Sequence, residues 1–307
     1  FRKYRRRNLP GLWSTIRSVL RPNVPYIVVV QNDEGLLARV DHVSMQDIPN
    51  IVVLSAGGYG HVPIPLLKQT ETPLVDSSSS INPARITSEN DHLQHSDSPQ
   101  YEYNDPKDRK YIASFVGGRR TAPHNMRMNM INQLSLLDAD LQAHAVNNNH
   151  STNSHDTHRL FAYYGGPEWR GYMASSCFSF CPRGFGRTSY HLMEALQMGL
   201  IPIHVYLDVP WVPYLDLIQR EQLAIIVKFD AVGKFARDEL VPLQTSSPLQ
   251  HSSWTFDKIR QIEGRILSYR DSHFTFEGVI KQIGTFMVDP RKSDLRCQAL
   301  PESVRAA

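Results

Sequence analysis

The sequence predicts an α/β protein built on parallel sheets, and three observations carry that prediction. Tyr26–Val30 (YIVVV) and Ile51–Leu54 (IVVL) are short, continuous apolar runs rich in β-branched residues. Such runs fit strands buried on both faces, as in parallel sheets. The first is closed by Gln31-Asn32-Asp33-Glu34-Gly35 and the second by Ser55-Ala56-Gly57-Gly58-Tyr59-Gly60, and open α/β sheets keep their ligands at such turns. The segment from Cys177 to Tyr206 reads strand, glycine turn, helix, glycine, strand within about 30 residues, the pattern of a parallel crossover unit.

Between the second run and this unit, Tyr111–Val116 (YIASFV) is a further strand candidate, followed by Gly117-Gly118-Arg119-Arg120. Met126, Met130, Leu134 and Leu137 then recur at helical spacing, which marks a core-facing helix. Within the crossover unit, Phe178–Cys181 is a strand end and Pro182–Arg187 a tight turn. Thr188 or Ser189 caps a helix that runs to Met198, Gly199 ends it, and Leu200–Tyr206 is the next strand. Trp254–Tyr269 carries apolar residues at amphipathic spacing, and Phe274–Met287 forms another helix. Leu67–Lys110 is rich in Ser, Asp, Asn, Pro and His and reads as a mobile linker or insertion. His144–His158 is a second polar stretch. Its histidines have the composition of a metal tract, though a solvated tract reads the same way. It contains the glycosylation sequon Asn149-His150-Ser151.

The chain has 307 residues, 41% hydrophobic and 21% charged, with a net charge of +3. That is a globular composition of one large or two modest domains, with no electrostatic case for nucleic acid. The exception is Phe1–Arg7 (FRKYRRR), either a solvated basic tail or a juxtamembrane segment below an upstream anchor. No stretch approaches the roughly 20 apolar residues of a membrane helix, and the first residue is Phe, which suggests a fragment or a processed chain. Cys177, Cys181 and Cys297 do not make a disulfide framework. The first two lie on one strand, roughly 13 Å apart and too far to bridge, so they read as buried thiols, with Cys297 left able to pair with either.

The Pro182–Arg187 turn has the parts of an anion site. Gly184 and Gly186 let backbone approach a ligand, the following helix points free N–H groups at the same spot, and Arg183 and Arg187 flank it. An ordinary βα turn with two surface arginines would look the same. Glu194 follows Arg187 by seven residues, two helical turns, which places both on one face together with Tyr190 and His191. A carboxylate there suits the paired hydroxyls of a ribose. Asp138-Ala139-Asp140 mimics a metal motif but falls in the helical stretch and is read as chance.

Phe180-Cys181-Pro182-Arg183-Gly184, Ser189, Glu194-Ala195-Leu196, Gly199, Ile201-Pro202 and Asp208 resemble the exostosin signature. Trp211-Val212-Pro213-Tyr214 resembles that family's Leu-Pro-Phe segment. Phe115-Val116-Gly117-Gly118-Arg119-Arg120 with Arg127 is similar to its upstream strand and basic helix start. Gln31–Gly35 and Val62-Pro63-Ile64-Pro65 resemble its amino-half landmarks. The likeness runs over residues 24–285 outside the two polar stretches. Two departures stand out: His191 replaces the family's arginine, and Ile218-Gln219-Arg220 replaces an Ile-Asp-Trp segment.

The resemblance implies a GT-B-like fold of two Rossmann-like domains, the amino-terminal one incomplete. Residues 1–75 would be that partial, acceptor-side domain, 76–109 a disordered linker or insertion, 110–290 the nucleotide-sugar domain and 291–307 a tail. It implies inverting transfer of a hexosyl or pentosyl group from a nucleotide sugar, UDP-linked, to a glycan acceptor, with no further cofactor and no metal, on the lumenal side of Golgi membranes. Arg183 and Ser189 would touch the phosphates, with Arg120 and Arg127 as further diphosphate contacts and Gly184, Arg187 and His191 beside them, and Glu194 would hold the ribose. Asp33 is the expected base, against the alternative of a turn aspartate. A catalytically silent partner or scaffold for another family member is the other functional class. The absence of G-x-x-x-x-G-K-[ST] argues against a P-loop NTPase.

Overall fold

The structure, a computed structural model, describes residues 18–32, 50–58, 60–74, 101–147, 158–245 and 252–298. Asp33, the sequon and Phe1–Arg7 lie outside the described residues. Two parallel sheets form, as expected. In the first, β1 (Tyr26–Val30), β2 (Ile51–Ser55) and β3 (Val62–Pro63) pair in that order, with Tyr26 opposite Ile51 and Leu54 opposite Val62. In the second, β4 (Tyr111–Val116), β5 (Arg159–Tyr164), β6 (Ser176–Pro182), β7 (Ile201–Tyr206) and β8 (Ile225–Lys228) take the order β5-β4-β6-β7-β8, all parallel. Every residue of β4 and β6 is buried, which fits their mostly apolar runs, interrupted by Ser114 in β4 and by Ser176 and Ser179 in β6.

Helices fill the crossovers. Among the longer ones, α1 (Met126–Asn147) links β4 to β5, α2 (Trp169–Ala174) precedes β6, α3 (Tyr190–Met198) links β6 to β7, and α4 (Leu215–Glu221) links β7 to β8. α5 (Phe256–Tyr269) and α6 (Phe276–Val288) follow. Met126, Met130 and Leu134 are buried, as the helical spacing requires, and Leu137 is partly so. Gly199 ends α3 at φ 84°, a left-handed position open to glycine, and a Cβ there would come within 2.8 Å of Leu267. Asp138 is structural: its carboxylate accepts from the backbone N–H of Leu160 and pairs with Arg159, pinning the start of β5. All three cysteines are unpaired, Cys177 and Cys181 in the core and Cys297 exposed.

The polar stretch expected to be linker is packed at both described ends. Glu71, 2% exposed, is held by Arg170 through a two-pronged contact of 2.6 and 2.9 Å, and its backbone N–H donates to Gln197. Near the other end, Arg109 is buried against Glu263 of α5 at 2.6 and 3.0 Å, with the Tyr103 hydroxyl donating to the same carboxylate. Composition hid these anchors because their partners lie 99 to 160 residues away. No helix among the described residues is long and apolar enough to cross a membrane.

Candidate functional site

In the strand order β5-β4-β6-β7-β8, the chain leaves β4 towards one edge and returns on its other side as β6. The switch point therefore lies between β4 and β6, and the crevice beyond their carboxyl ends is where open α/β sheets bind ligands. Two turns meet there, Gly117–Arg120 after β4 and Arg183–Ser189 after β6. Arg127 at the start of α1 spans them. Its guanidinium donates to the carbonyls of Gly118, Pro182 and Arg183 and to the Thr121 hydroxyl, at 2.6–3.1 Å. Burial pushes its pKa down to about 10, so it is a charged brace at neutral pH. The resemblance makes it a diphosphate contact; in this structure its donors face three main-chain carbonyls and the Thr121 hydroxyl. Arg120 is exposed on the other turn.

Asp208, two residues beyond β7, organises the second turn. Its Oδ1 accepts from Arg183 Nη1 at 2.5 Å and its Oδ2 from Arg187 Nε at 2.8 Å. Burial alone would raise this carboxyl, but the two guanidiniums outweigh it and hold the pKa below the ordinary aspartate value. Arg183 also folds back on its own turn, donating to the carbonyls of Gly186 and Phe185. Both arginines are almost wholly buried, at 5% and 2% exposure. A Cβ at Gly184 would meet its nearest neighbour at 3.5 Å, an ordinary contact, so crowding is not what places glycine there.

Helix α3 starts at Tyr190, so Arg187 precedes it by three residues and the two-turn relation to Glu194 does not apply. The residue that shares Glu194's face is His191, whose Nδ1 lies 2.6 Å from Glu194 Oε2. Leu192, Ala195 and Leu196 point into the core as expected. Ser189 occupies the N-cap position with extended backbone, but its side chain makes no capping bond. Neither Ser189 Oγ nor His191 Nε2 has a hydrogen-bond partner among the described residues, and both atoms are buried. Phe115 at the end of β4 joins the two halves of the site: the His191 ring meets it edge-on at 6.2 Å and the Arg127 guanidinium lies 5.5 Å from its centroid. Trp169 lies 5.8 Å from His191 with Arg170 stacked on it at 4.1 Å.

The fold thus brings Arg127, Arg183, Gly184, Arg187, Ser189, His191 and Glu194 to one end of the sheet. Sequence reasoning missed Asp208 as the partner of both arginines, although its place at a strand end was the available signal, and it missed the aromatic surround of Phe115 and Trp169. A cavity of about 610 Å³ lies elsewhere, between Ile27 and Val52 of the first sheet and Phe286, Met287 and Leu295 of the carboxyl-terminal segment.

No curated protein matches the chain. Among solved structures it is similar to the pneumococcal O-GlcNAc transferase GtfA in complex with UDP and GlcNAc, at 13% identity and a TM-score of 0.39, over 85% of this chain and 45% of that one. The chain therefore spans less than half the length of that protein. The family profile described as the Exostosin GT47 domain matches residues 79–237, more than half of the 307 residues. Its span holds β4 to β8 and every residue of the switch-point site. The chain belongs to the exostosin-like glycosyltransferase family.

Proposed function

We infer that the switch-point site binds the nucleoside diphosphate of a sugar donor, UDP-linked, and that the protein transfers the sugar to a glycan hydroxyl with inversion. One observation supports this above the others: two buried arginines on one aspartate lie in the turn after β6, next to the switch point, beside a helix N-terminus whose Ser189 hydroxyl has no partner among the described residues. Departure of the nucleotide leaves negative charge on the diphosphate. Oriented N–H groups and guanidiniums stabilise that charge without reorganising. Glu194 retains one carboxylate oxygen beyond its bond to His191, enough to accept from a ribose hydroxyl.

The site as described supplies the leaving-group half of the reaction. Taking the acceptor proton needs a base, and that half of the assignment rests on Asp33, outside the described residues. The Golgi lumen, and an upstream membrane anchor, remain part of the proposal through the family likeness. Titration with UDP, then assay of donor hydrolysis and transfer, tests the reading. Saturable UDP binding with turnover supports the enzyme. UDP binding without turnover by any nucleotide sugar, together with stabilisation of a second family member, supports the silent partner. His191, in the place of the family's arginine, favours that second reading.

A further inference from the structure

The donor turn is held from the other sheet. The backbone N–H of Arg187 donates to the carbonyl of Gly57 at 2.8 Å. Gly58 has φ +106°, and a Cβ on it would lie 3.1–3.2 Å from the Cβ, Cγ and Cδ of Arg187. Only glycine adopts that backbone without strain, and only glycine leaves the Arg187 stem its present path. The turn is fixed from within, because Ser55 Oγ donates to the Gly58 carbonyl at 2.5 Å. It is fixed from outside by Trp211, fully buried, whose Nε1–H donates to the Ser55 carbonyl at 2.9 Å. Trp211 follows Asp208 by three residues, and Asp208 holds Arg187. With the chain from Asp208 to Trp211, these contacts close a ring through Ser55, the Gly57-Gly58 turn, Arg187, Asp208 and Trp211.

The geometry points to the Ser55–Gly58 turn as a positioning element of the donor site, acting on a nucleoside diphosphate through Arg187. The first sheet then does more than face the acceptor: its glycine turn sets where one phosphate-binding guanidinium stands. This rests on the donor-site reading above. It requires that damage to the turn be felt by the nucleotide only while Arg187 is present, which is the signature of coupled residues in a double-mutant cycle.

The test uses the full chain and UDP. Gly58→Ala should weaken UDP binding about tenfold, and by less than about twofold in the Arg187→Ala background. Ser55→Ala, which removes a bond without adding atoms, serves if Gly58→Ala does not fold and should show the same dependence on Arg187 at about threefold. The Nε–H resonance of Arg187, assigned by its loss in Arg187→Ala, should move in Gly58→Ala without any nucleotide. Equal losses in both backgrounds, or no loss in either, overturn the proposal. A wild type that does not bind UDP defeats the donor reading instead, and the positioning claim is then decided by the resonance: unmoved in Gly58→Ala, it falls.

Discussion

His191 and Glu194 stand three residues apart on α3, and the imidazole Nδ1 of the first lies 2.6 Å from a carboxylate oxygen of the second. The pair fixes the orientation of the carboxylate that the donor-site reading assigns to the ribose. A side chain acting through another should cost less when removed than the one that touches the ligand. His191→Ala should therefore weaken UDP binding by about 0.5–1.5 kcal/mol, and Glu194→Gln by about 1–3 kcal/mol. His191→Arg, the family's residue, should bind UDP at least as well as wild type, because guanidinium pairs with carboxylate and phosphate alike. Calorimetric titration of the three variants checks the order.

Arg127 and Arg120 should separate by their effect on stability. Arg127 braces the carbonyls of Gly118, Pro182 and Arg183 from a buried position. Arg127→Ala orphans those acceptors, and should cost about 1–3 kcal/mol of folding free energy as well as UDP affinity. Arg120 is exposed. Arg120→Ala should leave the melting temperature unchanged and remove a part of UDP affinity that fades as salt is added. Thermal unfolding with titrations at two salt concentrations distinguishes the two roles.

Much of the frame was readable because its signals are local. β1, β2, β4, β6 and β7 announced themselves as apolar runs, and α3 was bounded by Ser189 and Gly199. What the sequence hid depends on contacts between distant residues. The start of α3 at Tyr190 removed the supposed Arg187–Glu194 face, since capping geometry rather than heptad arithmetic decides which residues are helical. Strand β5 directly follows the polar stretch His144–His158, and is held by Asp138, an aspartate whose local motif suggested only chance. Asp208 binding two arginines and Gly57 meeting Arg187 have no periodicity to betray them.

Stability should fall on mild acidification through His204. This residue is fully buried in β7. Burial, helped by the nearby Arg183 charge, outweighs a hydrogen bond with the Cys181 main chain and pushes its pKa from 6.5 down to about 4. The unfolded chain thus binds a proton between those values that the folded chain refuses. The contribution is fully present above about pH 6.5, and is lost as pH drops towards about 4, by about 3 kcal/mol in all. Urea unfolding of wild type and His204→Leu across that range should show a shallower pH slope in the variant.

The Arg109–Glu263 pair, both residues 2% exposed, fastens α5 to the segment before β4. Removing one charge leaves the other buried without its partner. Glu263→Gln should destabilise by about 3–5 kcal/mol, and Tyr103→Phe, which loses one hydrogen bond to the same carboxylate, by about 1 kcal/mol. Chemical denaturation of both variants measures the difference.

The most direct test of the donor site is titration of UDP into the wild-type chain and into Arg183→Ala and Glu194→Ala at matched temperature and salt. The account predicts saturable binding by the wild type and a loss of about 1–3 kcal/mol in each variant, with both variants still folded. Absence of binding by the wild type, or equal affinity in all three proteins, would contradict it.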